Sequence, residues 1–236
     1  MDAADLCRPV PIAENGKEEM QMPGLDEELV KKRELLEQFE RERFSKETIE
    51  KENGQSIFNG EIMVNMVPVT FAERSFLDGK AAIWMPEDFE ELTPEEVAVS
   101  YPLGNKPNKV YSDSYLDLAV GYNYTQHEVP DEYMGDFLKI ARLSLERTGP
   151  KVRILSEKVR KTQKHTISSI EMISHTITES IYNLMYFASL DGRVLLGFIN
   201  FNCRNKDRYK PIAQEMLSSF RFTDEEGQGD GCEARG

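Results

Sequence analysis

Three histidines, three cysteines and a surplus of carboxylates are the residues of this chain that could do chemistry, and their spacing decides which chemistry. His165 and His175 stand ten positions apart. Along one extended strand that is about 33 Å, too far to share a metal ion. His127 or carboxylates would have to be brought in by the fold, and no ligand spacing points to that, so neither metal nor cofactor is expected. Cys7, Cys203 and Cys232 are scattered, odd in number and outside any C-x-x-C pattern. Cys203 closes an apolar strand with no activating neighbour, the setting of a small hydrophobe rather than a nucleophile. The acidic pairs Glu87-Asp88, Glu90-Glu91 and Glu95-Glu96 flank a turn and a helix start. Acids there answer the helix dipole and read as surface charge, not as an acid/base pair. Gly104, Gly121 and Gly135 are too isolated to cradle a phosphate, and no G-x-S-x-G or H-E-x-x-H spacing occurs. The one place left for catalysis is a site assembled by folding near Asn105 and His127, which keeps a hydrolase-type enzyme as an alternative.

Recognition chemistry is better represented. Tyr111, Tyr122, Tyr124 and Tyr182 fall in or beside extended segments, with Asn183 next to the last. A tyrosine on a sheet face has an apolar body and a polar tip, which suits core packing with the hydroxyl at the rim and also suits a groove for peptide or protein. The formal net charge is −13, from 42 acidic and 29 basic residues. A surface of that sign repels phosphate backbones, so no nucleic-acid partner is expected. No apolar run approaches the length of a membrane span, and the N-terminus lacks the pattern of a secretory signal. Together with the unpaired cysteines this predicts a cytoplasmic protein.

The elements that would position these residues begin with a flexible tail over residues 1–24 and a charged helical extension over 25–53. Asp26 to about Ser45 is dominated by helix formers and by acid–base pairs three or four apart. Its apolar stripe of Leu25, Leu29, Leu36 and Phe39 is thin, so the helix either lies loosely on its own domain or docks on another chain. Residues 54–222 read as one domain. Ile62, Val64, Met66, Val69 and Phe71 suggest extended structure broken by Pro68. Asp78-Gly79 marks a hairpin. Trp84 is a core or rim anchor. Thr93-Pro94-Glu95-Glu96 is a capping box opening a short helix. A short strand at Lys109 to Ser112 and an alternating one from Leu116 to Tyr124 follow. A long helix opens after Pro130, with Met134, Phe137, Leu138, Ala141 and Leu145 as its stripe, and Gly149-Pro150 closes it. Four strands then lie in series, the last two joined at Asp191-Gly192 and apolar on both faces, so their sheet must be covered on two sides. A final helix, capped by Asp207, buries Ile212, Ala213, Met216, Leu217 and Phe220. Residues 223–236 read as a second flexible tail. The fold class predicted is α+β: an antiparallel sheet of about six to seven strands with helices on its faces, plus the charged N-terminal helix.

Three segments, YPLGNKPNKVYSD from Tyr101, IYNLMYFASLDGRVLLGFINFNC from Ile181 and DRYKPIAQEMLSSFRF from Asp207, carry a family pattern. Its positions are Tyr101, Pro102, Asn105, Pro107, Ile181, Tyr182, Asn183, Phe201, Asn202, Cys203, Ser219 and Phe220. Over roughly residues 80 to 222 the chain resembles uncharacterised bacterial, Firmicutes-type proteins with a PsbP-like fold. That resemblance implies kinship in fold with the lumenal photosystem II extrinsic protein, a yeast nuclear-transport factor that binds Ran, DcrB-like envelope proteins and type VI effector chaperones. Most of these act as binding or adaptor modules. The expectation is therefore a non-catalytic protein-binding module whose partner-binding residues come from Leu29, Leu36, Phe39, Tyr111, Tyr122, Tyr124, Tyr182 and Asn183. A self-assembling protein that pairs through the N-terminal helix is the other alternative.

Overall fold

A computed structural model describes residues 25–43, 45–101, 106–113, 116–148, 152–175 and 179–225. Both predicted tails, Pro102 and Asn105 lie wholly or almost wholly outside these residues, as does the Gly149-Pro150 helix stop. The chain divides into two compact units between Glu42 and Arg43. The first holds all but the last residue of helix α1 (Leu25–Arg43), whose Arg33 and Glu37 pair one turn apart at 2.9 Å and whose Leu29, Leu36 and Phe39 are exposed.

The second unit opens with α2 (Lys46–Asn53), an element the charge pattern merges with the helix before it. Ser45 separates the two by accepting a bond from Thr48 N, an N-cap that starts a new helix. Then come β1 (Glu61–Val64), β2 (Val67–Phe76), β3 (Ala81–Pro86), β4 (Glu90–Glu91), α3 (Pro94–Ser100), β5 (Lys109–Ser112) and β6 (Leu118–Glu128). They are followed by α4 (Met134–Thr148), β7 (Val152–Lys161), β8 (Thr166–His175), β9 (Ser180–Leu190), β10 (Arg193–Asn202), α5 (Lys206–Ser219) and β11 (Arg221–Phe222). Seven strands form an antiparallel sheet in the order β4-β5-β6-β10-β9-β8-β7, and β1-β2-β3-β11 form a second sheet of four. The mixed α+β class and the seven-stranded sheet agree with the sequence. The small sheet does not follow from it, because β11 pairs only Arg221 and Phe222 with Ala82 and Ala81, far upstream.

Local chemistry explains the element ends. Thr93 and Glu96 form the full capping box of α3. Asp191 and Gly192 carry the β9–β10 turn at φ 49° and 77°, the conformation such a tight hairpin needs. Asp207 does not cap α5. The helix begins earlier, on a turn over Cys203–Asn205, with Asn205 at the cap position and Asp207 in the first turn, so the strand also ends one residue sooner, at Asn202. Pro211 lies inside α5 and has no N–H for the carbonyl of Asp207. Asn53 Nδ2 on α2 donates to that carbonyl at 2.9 Å. At the other end of α5, Arg160 on β7 donates to Ser218 O at 2.8 Å and Phe220 O at 2.7 Å, a cation on the negative end of the helix. Arg160→Met keeps the aliphatic stem and removes both bonds. It is expected to cost about 1 to 2 kcal/mol, read as a lower urea midpoint with unchanged slope.

Both faces of the large sheet are covered, as strands apolar on both sides require. The inner face, with Leu118, Val120, Tyr122, Leu184, Tyr186, Leu195 and Ile199, packs against α5 and the small sheet in one large core. On the outer face α4 seats Met134 and Leu138 on Ile170, Met172 and Phe187, while α3 seats Val97 on Val110 and Phe198.

Candidate functional site

Cross-strand pairing puts Tyr111, Tyr122, Tyr124 and Tyr182 on the inner face, together with Tyr186. That is the covered face. Tyr182 is fully enclosed, stacked on Phe201 at 4.7 Å, and its burial drives the hydroxyl pKa up. Tyr122 is buried and stacked on Phe76 at 4.9 Å, its pKa pushed up to about 12 by the same cause. Neither offers a ring to a partner, because the side of the sheet that carries them is the one closed by α5 and the small sheet, which the sequence pattern does not reveal. Tyr111 and Tyr124 keep part of their surface under the guanidinium groups of Arg74, at 5.2 Å, and Arg193, at 4.1 Å. Tyr124 also donates to Leu190 O at 2.9 Å.

Asn183 alone of that set faces outward, and it sits in the part of the outer face that the helices leave open. There α4 lies over β8 and its neighbours, while α3 lies from β5 across to β10, with Val97 on Val110 and Phe198 and Tyr101 at its C-terminal end beside Asn200. Two helices about 10 Å thick, one over β8 and the other reaching β10, leave only a narrow seam between them. Its floor is Met185 and Leu196, both half-buried and both packed on the α4 cluster and on the α3 cluster. One end is polar: Asn183 Nδ2 donates to Ser174 Oγ at 3.3 Å, and its rung partner Asn200 donates to Tyr101 Oη at 3.2 Å. Burial raises the Tyr101 hydroxyl pKa and the Asn200 bond opposes it. The α4 wall carries Phe137, edge-on to Phe187, and Ile140, which is 64% exposed. Arg142 pairs with Glu157 of β7 at 2.7 Å, so the flank of α4 opposite Arg142, with Phe137, Ile140 and Ser144, is the one beside the trench. Such a trench offers apolar contact with a few hydrogen-bonding groups at one end, the makeup of a recognition surface.

The other family-pattern residues have structural work. Phe201 meets Tyr209 edge-on, Asn202 accepts from Arg204 N and donates to Glu179, and Ser219 Oγ accepts from Trp84 N. Pro107 is half-buried. Cys203 is a free thiol whose pKa burial raises, with Lys206 and Arg153 opposing, which makes it a slow nucleophile. The His127 ring has no hydrogen bond or ion pair among the described residues, and no group of three His, Cys, Asp or Glu among them is placed to hold a metal ion. His165 and His175 stand beside opposite ends of β8. The former bonds Asp224 at 3.2 Å and packs on the ring of Phe222, the latter bonds Ser180 at 2.7 Å. Among the described residues no helix is long and apolar enough to cross a membrane.

No protein-family model matches the chain, and no curated protein does. Among solved structures it is similar to the cyanobacterial PsbP (CyanoP) of Synechocystis sp. PCC 6803, at 10% identity and a TM-score of 0.49, over 64% of this chain and 92% of that one. It is also similar to PA94 from Pseudomonas aeruginosa, a protein of unknown function, at 8% identity and a TM-score of 0.38, over 63% and 94%. No sequence match speaks for a Firmicutes-type origin.

Proposed function

We propose that this chain is a non-catalytic, cytoplasmic protein-binding module that takes an amphipathic helix into the trench between α3 and α4. The observation that carries this reading is the half-buried floor of Met185 and Leu196, packed on two clusters and still partly exposed. The seam is narrow, so a partner enters it with one row of side chains, as helices dock in grooves elsewhere. Exposed Ile140 and Tyr133 extend the apolar wall. The free thiol at Cys203 suits a reducing compartment. Displayed helical peptides selected on the full chain should carry apolar residues at i, i+3 or i+4, and i+7. They should lose about tenfold or more in affinity on Ile140→Glu, whose melting temperature stays that of the parent. Failure to select binders, or binders indifferent to Ile140→Glu, would overturn the reading.

A second reading rests on α1, which exposes Leu29 and, seven residues on, Leu36, with Phe39 three further. That spacing fits pairing with the same helix of a second copy. Light scattering should then show a dimer that reverts to monomer on deleting residues 25–43. An unchanged mass removes the idea.

A further inference from the structure

We propose a second recognition site on the free edge of β7, where an extended segment of alternating acidic and apolar residues adds as an eighth strand to the large sheet. β7 is the terminal strand of that sheet, paired with β8 alone. A register shift between Ile154 and Ser156 interrupts it, leaving Ser156–Lys161 as a regular stretch. On its inner-face phase that stretch presents Lys158 and Arg160, opposite Ser169 and Ile167. On the outer-face phase it presents Glu157, Val159 and Lys161. Val159 is 46% exposed, an apolar side chain left in water on a sheet edge.

The charge around this edge is opposite to that of the molecule. In a chain of net charge −13, Arg153, Lys158 and Lys161 on β7 and Lys206 on α5 pair with no carboxylate among the described residues. Lys210 is held by the buried carboxylate of Glu171 at 2.7 Å, with Gln214 donating to the same group at 2.8 Å. Burial disfavours the Glu171 charge, and these bonds nonetheless keep its pKa below the usual range, so Glu171 stays a fixed anion that neutralises only Lys210. Glu157 is engaged by Arg142. Lysine on an edge strand is also the common guard against unwanted pairing. A guard, however, works against any incoming strand that lacks acid at the matching phase. A segment with a carboxylate beside Lys158 and an apolar residue beside Val159 converts that charge into a register code, with main-chain bonds supplying the affinity, while Arg160 stays on the carbonyls of Ser218 and Phe220. This surface is separate from the trench, and its test does not depend on that site.

The test is fluorescence anisotropy of the full chain with a short labelled peptide of alternating Glu and Val. Three comparisons accompany it: a peptide of the same composition in two blocks, an alternating Glu-Val peptide N-methylated along one edge, and Lys158→Glu protein. The alternating peptide should bind, and each comparison should weaken it by about tenfold or more. No binding would overturn the proposal. So would equal binding of the blocked or N-methylated peptide, which would reveal charge attraction without strand pairing, or equal binding to Lys158→Glu.

Discussion

Gly197→Ala should cost about 3 kcal/mol and lower the melting temperature by about 10 °C, more than an exposed strand glycine would. Gly197 sits on β10 between Tyr186 of β9 and Tyr122 of β6, on the same rung and the same inner face. The Tyr186 ring lies across the glycine, so that an added Cβ would fall 1.9 Å from Cζ, 2.3 Å from Oη and 2.4 Å from Cε1. The ring cannot step aside cheaply. It is fully buried and packed on Phe220 at 4.7 Å. Alanine would gain a few tenths to about 1 kcal/mol by restricting the unfolded chain, which offsets only part of the clash. The mechanism predicts a specific coupling. Tyr186→Leu alone is destabilising, but it should remove most of the cost of Gly197→Ala, so the double variant melts well above the sum of the singles. A Gly197→Ala protein within about 2 °C of the parent, or strictly additive singles, would show that the ring is not the obstacle.

Gly121 on β6 repeats the device on the outer face. A Cβ there would stand 2.4 Å from Cζ of its rung partner Phe198. An isolated glycine in an apolar strand signals close approach in general, but sequence cannot name the ring that approaches. The same limit runs through the fold. Features closed within a few residues, such as the Thr93 capping box, the Asp78-Gly79 turn and the β9–β10 hairpin, were legible because their chemistry is local. α2 was not, since KETIEKEN has one strong hydrophobe and looks like more of the charged helix. Nor was the facing of the tyrosines. Alternation along β6 separates two sides without saying which will meet α5. The trench is readable only after α3 and α4 are placed, because Met185 and Leu196 look like any other core residues of a doubly covered strand.

The least legible feature is also the source of the second large effect. Arg208 reads as surface charge in KDRYK, yet it is 1% exposed. Its Nε donates to Glu52 of α2 and its Nη1 donates to Asn65 Oδ1 at 2.6 Å. Asn65 Nδ2 donates onward to the Tyr209 hydroxyl, and Met66 N donates to Glu52 at 3.0 Å. Asn65 and Met66 form the β1–β2 turn with φ 54° and 64°, so one guanidinium joins α2, a strained turn and α5. Removing one member of such a group leaves a buried charge uncompensated. Arg208→Met should therefore cost about 3 to 5 kcal/mol. Glu52→Gln with Arg208→Met should cost clearly less than Arg208→Met alone, because no bare carboxylate remains. Arg208→Lys should fall between, since a single ammonium lacks the planar fork that reaches Glu52 and Asn65 together. α2 should come loose first, visible as early protease cleavage between residues 46 and 53. Arg208→Met protein with unchanged melting and an equally protected α2 would mean that the helix is held by Asn53 and its apolar contacts alone, and that the buried pair contributes nothing to docking it.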